Sequence, residues 1–315
     1  MPNDRSQKRP SGQSNSLSET FGVLNVLKPP GMSSHDVVNF VRRVSGIRRV
    51  GHGGTLDPQA AGVLPIFLGR ATRLSQFVIG DLKRYRAELT LGLTSETYDL
   101  SVGARAVADA SHVQQEYLEH IIEQYRGVTT QSVPAYSAVS VDGTRLYKLA
   151  RKGVRVPQIT RDITIISLEI VGFAPGLRPR VMLDIACSKG TYIRTLCHDI
   201  GQTLGVGGVM SFLIRTAAGP FELESSVTLE QVKERFDACL LAPEVALGSA
   251  PRAVLSREAA RKVCHGVMPD ISQFTEVPSL EQEQIVVVTD PDGRFLAVGQ
   301  STRQHTIEIR KVFCG

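Results

Sequence analysis

An aspartate within a glycine-rich run is the residue of this sequence best suited to chemistry. Asp57 ends the segment Gly51-His52-Gly53-Gly54-Thr55-Leu56-Asp57, where three glycines within four positions oppose a regular helix or strand. Because Pro58 restricts the residue before it to extended conformations, the carboxylate is predicted to stand on a rigid turn. The same pattern suits a turn in which the carboxylate only caps backbone groups, so the spacing leaves both interpretations open.

A tyrosine opens a strand whose alternation separates polar from apolar side chains. The apolar face of this predicted strand contains Tyr85, Ala87, Leu89, Leu91 and Leu93. Tyr85 is therefore either a core residue or an aromatic platform at the edge of a sheet. The platform is a useful hypothesis because the chain has no tryptophan, so any base stacking needs Tyr, His, Phe or Arg.

An arginine stands at the start of a predicted helix. Thr191 is expected to cap this helix, whose buried stripe consists of Ile193, Leu196, Ile200 and Leu204. Arg194 lies off that stripe, in the first turn, where a cation opposes the helix dipole by up to about 1 kcal/mol. The penalty suggests an anionic partner from elsewhere in the chain, whereas a solvated arginine is the simpler alternative.

A second surface is marked by cations. A short helix is predicted over residues 144–152, and the cluster on and beside it comprises Arg145, Lys148, Arg151, Lys152 and Arg155. Five cations within about three turns exceed what solubility requires, so we expect an arm that grips a phosphate backbone.

Composition supports a polyanionic partner and excludes several classes of protein. The 315 residues carry a formal net charge of +5. No apolar stretch approaches the ~20 residues of a membrane span, and the N-terminus lacks the apolar core of a signal peptide. The five cysteines form no C-x-x-C pair, so we expect reduced thiols in a cytoplasmic protein, with neither a zinc site nor disulfides.

The chain divides into three parts. Residues 1–20 are polar and are predicted to form a disordered tail. Residues 21–247 form the predicted main domain, in which Ser33 with Asp36 and Thr228 with Gln231 open helices through capping boxes. From residue 251 onward a helix over 256–265 is followed by short strands, two of them joined by a hairpin at residues 290–293. Residues 251–315 are therefore predicted to be a separate β-rich module.

Four motifs resemble those of the tRNA pseudouridine synthase B (TruB) family. The glycine-rich loop, continued by Gly62-Val63-Leu64-Pro65, resembles the family's signature loop. The family's opening motif is similar to Asn25-Val26-Leu27-Lys28-Pro29-Pro30-Gly31, and its tyrosine motif is similar to Lys83-Arg84-Tyr85-Arg86. Its arginine motif is similar to Ser188-Lys189-Gly190-Thr191-Tyr192-Ile193-Arg194. The resemblance covers nearly all of residues 21–247, and the C-terminal part resembles a PUA-type RNA-binding module more weakly.

The resemblance implies both a fold and a set of roles. The implied fold is α+β, a pseudouridine synthase fold with a mixed, mainly antiparallel central sheet flanked by helices, plus a small C-terminal β-rich PUA-like domain. Asp57 becomes the catalytic aspartate, Tyr85 the tyrosine that stacks on the target base, and Arg194 the ion-pair partner of Asp57. His52, Tyr192 and Leu213 match substrate-contacting positions of the family. The cations expected to bind the RNA backbone lie on an insertion at about residues 131–160 and are Arg145, Lys148, Arg151 and Lys152.

The implied activity is isomerisation of the T-loop uridine of tRNA to pseudouridine by base flipping. The resemblance implies the T-arm stem-loop as partner, and no cofactor, metal, guide RNA or membrane; a monomer is expected. Three places depart from the family pattern, namely Val133, Ser140 and Leu100-Ser101-Val102-Gly103, and none of them involves the three catalytic positions.

Two other classes of function remain open at this stage. A non-catalytic RNA-binding protein would share the basic arm and the C-terminal module without needing Asp57, and release of the C5 proton would distinguish it. A synthase directed to other RNAs by a guide is the second, and activity on a bare stem-loop would distinguish that one.

Overall fold

The computed structural model describes residues 21–78, 82–141, 143–154, 156–303 and 306–314. The predicted disordered tail, residues 1–20, and Arg155 of the basic arm lie outside the described residues. Within those ranges, no helix is long and apolar enough to cross a membrane.

Strands make up most of the regular structure. In chain order they are β1 (Gly22–Lys28), β2 (Val50–His52), β3 (Ala61–Leu68), β4 (Lys83–Leu91), β5 (Leu93–Thr94), β6 (Arg105–Ala106), β7 (Gly127–Ser132), β8 (Ser140–Val141), β9 (Thr144–Arg145), β10 (Thr160–Ala174), β11 (Arg180–Cys187), β12 (Gly208–Ala218), β13 (Phe221–Glu222), β14 (Arg252–Leu255), β15 (Phe274–Glu276), β16 (Ile285–Thr289), β17 (Phe295–Ser301) and β18 (Ile307–Val312).

Helices are fewer and mostly short. They are α1 (Ser34–Ser45), α2 (Ser75–Val78), α3 (Gln115–Glu123), α4 (Leu146–Arg151), α5 (Ile193–Thr203), α6 (Leu229–Glu234), α7 (Phe236–Cys239) and α8 (Arg257–Cys264). Single 3-10 turns cover Gly69–Leu74, Leu223–Ser225, Pro243–Leu247 and Ile271–Gln273.

The large sheet confirms the predicted fold class. Its strand order is β1-β3-β12-β4-β11-β10-β7, with β2 beside β3 and β13 beside β12. The β3–β12 pair is parallel and the other described pairs in this sheet are antiparallel, so the sheet is mixed and mainly antiparallel. The predicted alternation in β4 is also confirmed, because Tyr85 and Ala87 are buried while Arg84 and Arg86 are exposed.

Two hydrophobic clusters attach helices to this sheet. One joins α3 and α5 to β4, β10 and β11, and the other joins α1 and α6 to β1 and β3. The capping boxes predicted at Ser33 and Thr228 are both present. The cap at Thr228 opens two short helices and not one long helix: the chain forms α6 and then α7, because Arg235 between them has φ −141° and interrupts the helix.

The start of α5 also differs from the prediction. Tyr192 occupies the N-cap position and caps no backbone group with its side chain, whereas the Thr191 hydroxyl donates to Ser188 O at 2.9 Å. Thr191 therefore closes the turn before the helix instead of capping the helix itself.

A second sheet, of order β15-β14-β16-β17-β18, contains the C-terminal strands. The predicted hairpin is confirmed, since β16 and β17 pair antiparallel across the turn at residues 290–293. One face of this sheet shares a hydrophobic cluster with the large sheet, in which Val287, Val298 and Phe313 pack with Val63 and Phe67. The two sheets are thus joined by a continuous apolar core.

A disulfide corrects the prediction of five reduced thiols. Cys264 at the end of α8 is bonded to Cys314 beyond β18, with 5.2 Å between their Cα atoms. These cysteines are 50 positions apart, and only the packing of α8 on the second sheet brings them together, so a search for local pairs cannot find them. Cys187, Cys197 and Cys239 are free and buried. The cysteine pattern therefore gives no argument for a cellular compartment.

The shared cluster predicts that the C-terminus stabilises the whole fold. Phe313 is 1% exposed, so Phe313→Ala is expected to lower the free energy of unfolding by about 3–5 kcal/mol in urea denaturation. Val267→Ala is the control, because Val267 is 53% exposed and its truncation should change stability by less than about 0.5 kcal/mol. Equal losses from both substitutions would contradict a shared core.

Candidate active site

The loop that carries Asp57 is held by hydrogen bonds on both sides of that residue. Leu56 N donates to the buried Ser34 hydroxyl at 2.8 Å, and the same hydroxyl donates to Leu56 O at 3.1 Å. Pro58 O accepts from Lys28 Nζ at 3.1 Å and from Gly31 N at 2.8 Å. Because β1 and the start of α1 supply these groups, the Asp57 backbone is fixed by the core of the large sheet.

A buried arginine that sequence analysis missed holds the rest of this loop. Arg215 on β12 has no exposed surface; its Nε donates to Val63 O at 2.8 Å and its Nη2 to Gly54 O at 3.1 Å. The guanidinium thus ties the loop to the central strands. Its sequence context is an ordinary apolar strand, which gives no signal of this role.

Arg194 is brought to Asp57 from the opposite side of the cleft. Its Nε lies 3.6 Å from Asp57 Oδ2, and its Nη2 donates to Tyr136 O at 2.7 Å. Arg194 is only 5% exposed, so the alternative of a solvated arginine was wrong. The anionic partner that the helix-dipole argument demanded is in place.

A second carboxylate, also missed from the sequence, flanks the same guanidinium. Asp99 Oδ2 lies 3.8 Å from Arg194 Nη1. Asp99 Oδ1 accepts from Thr97 Oγ1 at 2.6 Å and from Ser101 N at 2.9 Å, which fixes its orientation. Asp99 directly precedes one of the segments that depart from the family pattern, and it lies far from Arg194 in sequence, so spacing could not reveal the pair.

The electrostatic balance at Asp57 differs from a simple ion pair. Although 37% of its side chain is reached by solvent, the carboxylate lies at the bottom of a cleft with protein around most of it. Burial therefore raises the pKa of Asp57; the Arg194 guanidinium opposes this shift, the Asp99 charge adds to it, and Lys28 opposes it more weakly.

Five of the predicted site residues meet in one cavity of about 380 Å³. Its lining includes Asp57, Tyr85, Tyr192, Arg194 and Leu213. Its wall also contains residues 136–139, which belong to the predicted insertion. His52 does not line this cavity: it lies on β2, where its Nδ1 accepts from Gly54 N at 3.3 Å and burial lowers its pKa.

Tyr85 stands on the cavity wall with its ring buried. It is 8% exposed, and burial raises the pKa of its hydroxyl, with the nearby Arg215 guanidinium opposing the shift. Tyr192 lies on the same cavity, where the guanidinium carbons of Arg161 and Arg194 stand 5.5 and 5.8 Å from its ring centre. The cavity therefore combines a carboxylate, an arginine and two aromatic rings.

The basic arm is connected to the cavity wall without lining the cavity. The four described cations, all exposed and forming no ion pair with another described residue, are Arg145, Lys148, Arg151 and Lys152. Leu146 N donates to Val139 O at 2.8 Å and Tyr147 N to Ser137 O at 3.1 Å. A polymer bound along α4 would thus be led towards the cavity.

Comparisons with known proteins agree with this site. Residues 42–193 match the model of the TruB family pseudouridylate synthase N-terminal domain, and residues 194–248 match that of the tRNA pseudouridylate synthase B C-terminal domain.

Individual relatives extend the similarity over most of the chain. A tRNA pseudouridine synthase B of Symbiobacterium thermophilum is 49% identical over 259 residues, covering 82% of this chain and 86% of the relative. One of Alkaliphilus oremlandii is 44% identical over 247 residues, covering 78% and 81%. A solved structure of an H/ACA RNP bound to a substrate RNA containing 2'-deoxyuridine matches with TM-score 0.74 at 25% identity, covering 98% of this chain and 88% of that chain.

The opposing charges around Asp57 predict that two substitutions shift its pKa in opposite directions. Arg194→Gln removes the guanidinium that favours the ionised carboxylate, so the pKa of Asp57 is expected to rise further. Asp99→Asn removes a like charge, so the pKa of Asp57 is expected to fall. Titration of the carboxyl carbon by NMR would measure both shifts, with Asp109 on a separate exposed loop as the internal control. Shifts in the same direction would contradict this charge arrangement.

Proposed function

The chain belongs to the TruB family of pseudouridylate synthases, and we propose that it isomerises the T-loop uridine of tRNA to pseudouridine with Asp57 as the catalytic carboxylate. The observation that supports this assignment most strongly is the meeting of Asp57 and Arg194, 3.6 Å apart, in a cavity walled by Tyr85 and Tyr192. A turn-capping aspartate would need neither the arginine nor the cavity.

The reaction requires a group that acts on a glycosidic bond without adding or removing atoms overall. The C1′–N1 bond breaks, the base turns, and C1′ joins C5; the C5 proton is lost to a base and N1 takes up a proton from solvent. An ionised carboxylate suits the first step because it can form a transient bond or stabilise the detached state by its charge. Arg194 favours that ionised form against the effect of burial.

The cavity also suits a nucleotide that has left its stack. Base flipping costs a few kcal/mol, and stacking on an aromatic side chain recovers part of this free energy. We assign Tyr85 to this stacking, with Tyr192 and Leu213 completing the walls around the base. His52 is assigned to contacts outside the cavity, in keeping with its place on β2.

Affinity for RNA is assigned to the cationic arm and to residues 251–315. Exposed arginine and lysine side chains along α4 suit a phosphate backbone, because phosphate contacts supply most of the sequence-independent affinity. We propose that a bare T-arm stem-loop is sufficient as substrate, that no guide RNA is needed, and that the enzyme acts as a monomer.

Replacing the catalytic carboxylate should separate activity from binding and from stability. Asp57→Asn is expected to reduce pseudouridine formation below detection, measured by tritium release from C5-labelled uridine, while the stem-loop still binds. Burial raises the pKa of Asp57 above its value in the unfolded chain. The ionised carboxylate therefore destabilises the fold once the pH rises above the pKa of an ordinary aspartate. The Asn variant is therefore expected to melt at a higher temperature at pH 7, and this gain should disappear in acid.

The alternative role of Asp57 makes the opposite prediction. A carboxylate that only caps the loop would leave the Asn variant active and less stable. A folded Asp57→Asn enzyme that still converts the T-loop uridine would refute the proposed mechanism. Conversion that needs an added guide RNA would instead refute the proposed substrate.

Tyr85 can be tested through the two parts of its side chain. Tyr85→Phe keeps the ring and is expected to leave RNA affinity nearly unchanged, whereas Tyr85→Ala should weaken binding of the flipped base by about 1–3 kcal/mol. Affinity measured by titration and single-turnover rates measured separately distinguish stacking from proton transfer by the hydroxyl. Negligible effects from both variants would mean that Tyr85 is only a core residue.

A further inference from the structure

Two cations lie beside the cavity, and neither forms an ion pair with a carboxylate of the described residues. Lys83 at the start of β4 lines the cavity, and its ammonium forms no hydrogen bond or ion pair with any described residue. Arg215 is fully buried, and its Nη1 has no hydrogen-bond acceptor among the described residues. The Arg215 guanidinium also interacts with the Tyr85 hydroxyl, but a neutral hydroxyl leaves the positive charge unbalanced.

Sheet register places these cations on one face around the proposed stacking tyrosine. Arg215 is the cross-strand neighbour of Tyr85 in the β4–β12 pair, and Lys83 precedes Tyr85 by two positions on the same strand. Side chains two positions apart in a strand share a face, as do directly opposite neighbours. Both cationic groups also approach Gly54: a Cβ built on that residue would lie 3.2 Å from Lys83 Nζ and 3.6 Å from Arg215 Nη1.

Two neighbouring cations that pair with no carboxylate of the described residues are unfavourable in the free protein. Burial, together with the charges of Arg215 and Lys189, lowers the pKa of Lys83 to about 8, and the Cys187 thiol acts in the opposite direction. A charge that is removed from water without a partner costs free energy, which an anionic ligand would return.

We propose that Lys83 and Arg215 form a phosphate subsite in the wall of the cavity, which holds one backbone phosphate next to the flipped uridine. Lys83 would contact the phosphate, because its ammonium faces the cavity, while Arg215 would add positive charge from behind the loop. The inference rests on the proposed function only for its ligand, an RNA chain whose target base lies on Tyr85.

A phosphate fits this subsite better than the base does. The carbonyl groups of uracil are neutral in the bound substrate and would balance neither cation, whereas a phosphodiester carries a permanent negative charge. Lysine is also a common phosphate ligand because it acts as a compact point charge. One phosphate held here would fix the sugar relative to Asp57 before the reaction begins.

A double-mutant cycle between protein and RNA tests the subsite. T-arm stem-loops would carry one neutral methylphosphonate linkage, placed in turn at each phosphate around the target uridine, and would be titrated with wild type and Lys83→Met. Loss of one charged hydrogen bond should weaken binding about tenfold, from either side of the contact. At the one linkage that Lys83 contacts, the methylphosphonate should therefore weaken binding to wild type but cause no additional loss of affinity in Lys83→Met.

Two matched variants complete the design. Arg84→Met removes the adjacent cation, whose side chain is exposed on the other face of β4, and should leave both the affinity and the linkage pattern of wild type unchanged. Lys83→Arg keeps the charge and should retain the sensitivity to that one linkage.

If the losses of affinity caused by Lys83→Met and by the methylphosphonate multiply at every linkage, the phosphate subsite is overturned. Normal affinity with slow single-turnover conversion in Lys83→Met would also overturn it, because the ammonium would then act on the reacting base. Since the cycle is read from affinity alone, failure of wild type to convert the unmodified stem-loop would count against the proposed function and not against the subsite.

Discussion

The charge on one partly enclosed carboxylate governs the construction of this site. The proposed chemistry needs Asp57 in its ionised form, yet burial in the cleft raises its pKa and makes that charge costly. Arg194 reduces the cost, but an arginine that is itself 5% exposed needs partners of its own. Asp99 and Tyr136 O supply them, at the price of a second negative charge near the first. The result is a carboxylate whose protonation is set by neighbours drawn from distant parts of the chain.

The loop that carries Asp57 is held in position by buried cations, which donate hydrogen bonds to backbone carbonyl oxygens and not to carboxylates. Lys28 Nζ donates to Pro29 O, Met32 O and Pro58 O, and burial lowers its pKa to about 8. Arg215 donates to two carbonyl oxygens of the same loop region. Carbonyl dipoles hold such side chains without neutralising Asp57, so the loop is rigid while the Asp57 carboxylate keeps its charge. Preorganised groups of this kind need no rearrangement during reaction.

Sequence reasoning succeeded where neighbours along the chain determine structure and failed where packing does. The alternation in β4 was sufficient to predict that Tyr85 lies on the buried face, and the capping boxes located the starts of α1 and α6. The helix dipole suggested an anionic partner for Arg194, but only the family resemblance identified that partner as Asp57. Asp99, Arg215 and the Cys264–Cys314 bond had no local signal, because each partner lies in a remote element.

The glycines of the central loop acquire a second physical reason from the cations around them. In sequence, glycine is explained by the bends it allows, and Gly54 indeed has φ +132°. In the fold, a side chain on Gly54 would also press against Lys83 and Arg215, and one on Gly62 would lie 2.2 Å from Arg215 O. The loop can therefore approach β12 closely enough for Arg215 to reach its carbonyl oxygens only because these side chains are absent. The same absence that lets the loop bend also brings two cations to the wall of the cavity, so the loop that carries Asp57 and the cationic wall are one structural feature.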